Sequence, residues 1–162
     1  MAAWSATAGA QGVSGTGGKA RALAKPVTAV PAAGAVVVAP DVLDGWSFLY
    51  RHIDEVEFVL CLEGRGERDV VHIHGFRLAR IERTSSSSVR YQPCSGREYV
   101  GTAHNHPPVE GEGSLCYRST TDRQSFDQDD RAIIDVILCG PDQYIWILRN
   151  GAVGGPGREA PG

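Results

Sequence analysis

Strand-like and helix-like runs alternate through the middle of this 162-residue chain, and the alternation predicts an α/β domain with a mixed β-sheet flanked by helices. Three observations carry that prediction. Apolar runs of strand length recur at 35–39, 57–62, 98–103, 132–138 and 143–148. Between the first two, Val42, Trp46, Leu49 and Ile53 repeat at helical intervals. Between the third and fourth, Ser119 stands three residues before Asp122, the pattern of a helix start.

Taken in order, Ala35–Ala39 is a short strand ended by Pro40, and Asp41 is placed to cap a helix over Val42–Ile53. Gly45 weakens that helix without ending it. Glu57–Leu62 is continuously apolar after its first residue, as in a strand buried on both faces. Gly64-Arg-Gly66 reads as the turn, and Val70–Glu82 as the second strand of a hairpin. Thr84–Ser88 breaks the pattern. Glu98–Ala103 is a strand, Ser119 opens a helix running to about Asp129, and Ala132–Leu138 is a further apolar strand. Gly140-Pro-Asp142 is a turn, after which Gln143–Leu148 closes the sheet. Residues 34–151 thus form the domain. Residues 152–162, rich in Gly and Pro, read as a flexible tail. Residues 1–33 are rich in Ala, Gly, Ser and Thr and hold no acid, so disorder is expected there. The acid-free stretch also fits a transit peptide, although it lacks the apolar core of a secretory signal.

Composition narrows the function classes. With 42% apolar residues, 22% charged and a net charge of -3, the chain reads as an ordinary soluble domain without the basic footprint of a nucleic-acid binder. No apolar run reaches the roughly 20 residues needed to span a bilayer. Cys61, Cys94, Cys116 and Cys139 show no CxxC spacing. Cys61 and Cys139 lie in apolar runs and read as buried hydrophobes, whereas Cys94 and Cys116 fall in loops as free, inert thiols. That usage is compatible with a reducing, cytoplasmic setting and argues for no disulfide framework.

The chemistry concentrates in Tyr99-Val-Gly-Thr-Ala-His-Asn-His-Pro-Pro108. Side chains alternate along a strand, so His104 and His106 face the same way, as a pair of ligands to a divalent ion would. A Gly-rich loop, Val109–Ser114, would bring Asp122 back as the third ligand and leave one position open for water. The plain alternative is two polar residues at a strand end, with Ser119-x-x-Asp122 a metal-free capping box. Both readings of Ser119 and Asp122 can hold together.

His104-x-His106-Pro107, a loop, and Ser119-x-x-Asp122 together resemble the metal motif of the JAB/MPN metallopeptidases, the JAMM motif. That family also carries an upstream glutamate with a glycine seven residues later, and Glu57 and Gly64 supply both. The resemblance spans about 36–151. The loop before Ser119 is longer than the pattern, and Leu60 stands where glycine is usual. The resemblance implies an MPN/cytidine-deaminase-like core and zinc bound by His104, His106 and Asp122. It also implies that Glu57 acts as general base and that Ser119 stabilises the oxyanion. The implied substrate is an amide near the C-terminus of a ubiquitin-like or sulfur-carrier-like protein. A non-hydrolytic, metal-binding module like the RadC proteins, which share His-Asn-His-Pro, is the second reading; a toxin- or phage-associated JAB domain is a third.

Rival motifs are weaker. His72-Ile-His74 has no acid or cysteine at ligand spacing and reads as an exposed strand face. His104-x-His106-x-x-x-Glu110 matches only half of a cupin motif, and Pro93-Cys94 lacks the second cysteine of a zinc deaminase. Arg118 reads as solvated.

Overall fold

A seven-stranded mixed sheet in the order β1-β3-β2-β6-β7-β8-β9 organises the domain. The computed structural model describes residues 34–108 and 116–156; the expected disordered segment 1–33, the Gly-rich loop 109–114 and the last residues of the expected tail lie outside the described residues. β1 (Ala35–Val38) runs parallel to β3 (Val70–Leu78), which pairs antiparallel with β2 (Val59–Glu67). β2 also pairs antiparallel with β6 (Tyr99–Asn105), and β6 runs parallel to β7 (Ile134–Gly140). The antiparallel β8 (Gln143–Leu148) and β9 (Val153–Gly154) complete the sheet. A small separate ribbon joins β4 (Ile81–Thr84) to β5 (Val89–Tyr91).

The helices are α1 (Pro40–His52) and α2 (Thr120–Gln128). Pro40 takes the first helical position, where its missing N–H costs nothing, so Ala39 is the N-cap. Asp41 therefore lies inside the first turn rather than capping it. α1 buries Val42, Trp46 and Tyr50 against Leu60, Leu62, Ala103, Val136 and Leu138. Fully burying each large apolar side chain contributes about 2 kcal/mol, which offsets Gly45's low helix propensity.

Two turns differ from expectation. Gly64 and Gly66 sit within β2, and the reversal comes at Arg68–Asp69, where Arg68 takes a positive φ of 51°. Gly64 marks a bulge instead, since a Cβ there would meet the His72 carbonyl oxygen at 2.1 Å. Gly101 is equally constrained, with φ 157° and the Ile134 carbonyl 1.8 Å from where a Cβ would sit. At the C-terminal end, Val153–Gly154, placed by sequence in the tail, pairs with β8 as an edge strand. β8 is thus interior to the sheet.

The cysteines overturn the expectation of no disulfides. Cys61 is bonded to Cys94 and Cys116 to Cys139, with no free thiol among the described residues. Cys94, read as a loop thiol, is 2% exposed. The first bond ties β2 to the 92–98 segment, and the second ties the approach to α2 onto the end of β7. The measurement is direct: in denaturant, the protein is expected to show no reactive thiol before reduction and all four after it. A reactive thiol in the unreduced protein would refute the bridges.

Candidate metal centre

Period-two alternation sets the two faces of the central strands. Ala103 of β6 and Val136 and Leu138 of β7 pack toward α1. Thr102 and His104 therefore face the opposite side, where Asp135 is the cross-strand partner of Thr102. His106, just past the strand end, lies beside His104 with ring centroids 5.1 Å apart and the rings tilted by 50°. Both histidines are 8% exposed.

Asp122 comes to them on the first turn of α2. Ser119 is its N-cap: Ser119 Oγ accepts from the Asp122 N–H at 3.1 Å, while Asp122 Oδ2 accepts from the Ser119 N–H at 2.8 Å. This is the capping box that was the plain alternative. It does not compete with the ligand role, because the same carboxylate lies 3.5 Å from His104 Nε2 through Oδ1 and 3.5 Å from His106 Nε2 through Oδ2. All three ligand atoms fall within 4.8 Å of one another.

The donors suit a divalent ion. His104 Nε2 is buried yet has no hydrogen-bond partner. Donor atoms sharing one tetrahedral zinc at ~2.0–2.1 Å stand roughly 3.3 Å apart, close to the 3.5 Å between each histidine nitrogen and its nearer Asp122 oxygen. Two imidazoles and one carboxylate are also a donor set with room for a fourth, exchangeable ligand. The charge pattern agrees. Burial alone would push the His104 pKa down, but the Asp122 and Asp135 carboxylates outweigh it and leave it raised. Burial would likewise raise Asp122, yet the His104 and His106 imidazoles 3.5 Å away hold it well below the usual carboxylate range. A site that favours a cation this strongly is one where protons and a metal compete.

Glu57 lies just before β2 and lines the same cavity of about 350 Å³ as His104, His106, Ser119 and Asp122. The Ser86–Ser88 turn and Tyr91 form another wall of it. Burial raises the Glu57 pKa, and the two histidines only partly oppose that shift. Its backbone is gripped on both sides. Its N–H donates to the Ser85 carbonyl at 2.9 Å, and Thr84 Oγ1 donates to its carbonyl.

Four residues important to this arrangement were missed or misread in the sequence. Asn105, fully buried between the histidines, accepts from the Phe58 N–H at 2.6 Å and donates to the Val56 and Ile53 carbonyls at 3.1 and 3.3 Å. It thereby bolts the Glu57 segment to the histidine strand. Tyr50 reaches from α1 to lie 3.2 Å from the His106 carbonyl and 3.0 Å from that of Cys139. Asp135 is 2% exposed, and the signal was present: one acid inside Ala-Ile-Ile-Asp-Val-Ile-Leu. Arg118 is not solvated. Its Nε lies 3.3 Å from Asp135 Oδ2 and its guanidinium sits over Phe126, 4.8 Å from the ring centroid. Of the rival pair, His74 is exposed, 3.6 Å from Glu98, whereas His72 is partly buried.

No protein-family model matches the chain, and no curated protein matches it. Among solved structures, a JAB1/MPN domain protein from Archaeoglobus fulgidus is similar at 17% identity and a TM-score of 0.44, over 74% of this chain and 92% of that one.

Proposed function

We propose that the chain is a zinc-dependent peptidase or isopeptidase of the JAB/MPN type, hydrolysing an amide near the C-terminus of a ubiquitin-like or sulfur-carrier-like protein. The observation that carries the reading is the convergence of Glu57, His104, His106, Ser119 and Asp122 on one cavity. His104, His106 and Asp122 would hold the ion, which supplies Lewis-acid polarisation and activation of water near neutral pH.

The remaining work falls to the chain's own groups. Glu57, with its proton affinity raised by burial, accepts the proton of the attacking water and returns it to the departing amine nitrogen. Ser119 Oγ already accepts from the Asp122 N–H, so its own hydroxyl proton is free to be donated into the cavity toward the developing oxyanion. The substrate class comes from the motif resemblance. A RadC-like binding module would need the ligands but not a half-buried carboxylate beside them, and Glu57 favours the hydrolytic reading. The two disulfides weigh against the cytoplasmic setting expected from cysteine spacing, since disulfides are rare under reducing conditions.

The test is incubation of the zinc-loaded protein with reporter fusions at a ubiquitin-like tail. Cleavage that stops in chelator and returns with zinc supports the proposal; cleavage undiminished by chelator would sink it.

A further inference from the structure

Asp135, which is buried, and Arg118, which is partly buried, are charges that the proposed chemistry does not use. Asp135 lies on β7 with its carboxylate turned to the histidine side of the sheet. One oxygen, Oδ1, accepts from Thr102 Oγ1 at 3.4 Å and stands 3.7 Å from His104 Nδ1. The other, Oδ2, faces Arg118 Nε at 3.3 Å. Arg118 immediately precedes Ser119, the N-cap of the helix that carries Asp122. One carboxylate therefore lies between a histidine of the metal set, at ion-pair distance, and the segment that delivers the aspartate of that set.

A buried ion pair of this kind is not needed for stability. Replacing such a pair with apolar side chains of similar volume is often neutral or stabilising, whereas removing one member alone is costly. Its placement points to a different use. A ligand histidine binds through one ring nitrogen, and a carboxylate at the other fixes both the tautomer and the ring plane. Here Nδ1 faces Asp135 and Nε2 faces Asp122.

We infer that Arg118 and Asp135 form a positioning brace for the metal centre: Asp135 sets His104 with Nε2 directed at the ion, and Arg118 locks the start of α2 to the same carboxylate. Histidine and aspartate ligands are thereby held at one separation before any ion arrives. The inference rests on the metal reading above.

Zinc affinity, measured by competition with a chromophoric chelator, tests it alongside thermal unfolding and the 15N signals of the His104 ring in metal-free protein. Wild type is expected to show His104 protonated at Nδ1. Asp135→Asn should weaken zinc binding by about 10–100-fold. The variant carrying both Arg118→Met and Asp135→Leu guards against a simple folding defect. It should regain wild-type unfolding temperature yet bind zinc as weakly as Asp135→Asn. If that double variant, or Asp135→Asn, binds zinc within twofold of wild type, the brace is wrong while the metal centre stands. If wild type takes up no zinc at all, the metal reading fails and takes the brace with it.

Discussion

Glu57→Gln is expected to lower kcat on a cleavable fusion by about 10²–10⁴-fold while the protein still binds one zinc. The glutamine is isosteric and keeps the half-buried volume, but it has no carboxylate to receive a proton. Burial favours the neutral form of Glu57 in the metal-free protein, a bias that a bound divalent ion would oppose, and the wild-type rate should fall with acid as Glu57 takes up its proton. The sign follows from the role: a base works only when ionised, so activity is present above its pKa and disappears below it. The glutamine variant should lose this acid limb along with its rate. Wild-type turnover in Glu57→Gln would remove the residue from the mechanism.

The second large effect belongs to Asp122→Ala. It deletes the only acidic member of the His104, His106 and Asp122 group, leaving two imidazoles that cannot neutralise a divalent charge. Zinc stoichiometry after dialysis is expected to fall from one to near zero. Stability of the metal-free protein should fall as well, by ~1 kcal/mol, because the same carboxylate caps the Ser119 N–H. Asp122→Asn separates the two functions, since an amide oxygen still accepts that hydrogen bond. It should keep most of the stability and lose most of the zinc. Stoichiometric zinc in Asp122→Ala, by metal analysis of the dialysed protein, would discredit the third ligand.

How much of this was legible in the sequence depended on how far apart the cooperating residues lie. His104 with His106, and Ser119 with Asp122, are pairs whose spacing matches a strand or a helix turn, so local pattern exposed both. Glu57 needed the motif resemblance, because nothing in its own neighbourhood distinguishes it from Glu55 or Glu63. Asp135, Arg118 and Asn105 act across register: Thr102 meets Asp135 only through the parallel pairing of β6 and β7. The disulfides join residues 33 and 23 positions apart, and sequence does not encode such connectivity. Gly64 and Gly66 were misread because glycine signals a bulge as readily as a turn. The two-residue β9 is too short to announce itself.

Asn105 carries a further consequence for how a substrate would be admitted. Its amide links the Ile53–Phe58 stretch to the strand between the imidazoles, and β2 and β6 are zipped together from Val59 opposite His104 onward. Glu57 and the two imidazoles are therefore carried on one paired unit. The Ser86–Ser88 turn, which lines the same cavity, is closed by contacts to Ser85, and Ser85 and Thr84 in turn hold the Glu57 backbone. Under the proposed hydrolysis, a tail entering the cavity would meet Glu57 already set against the imidazoles rather than assembled around it.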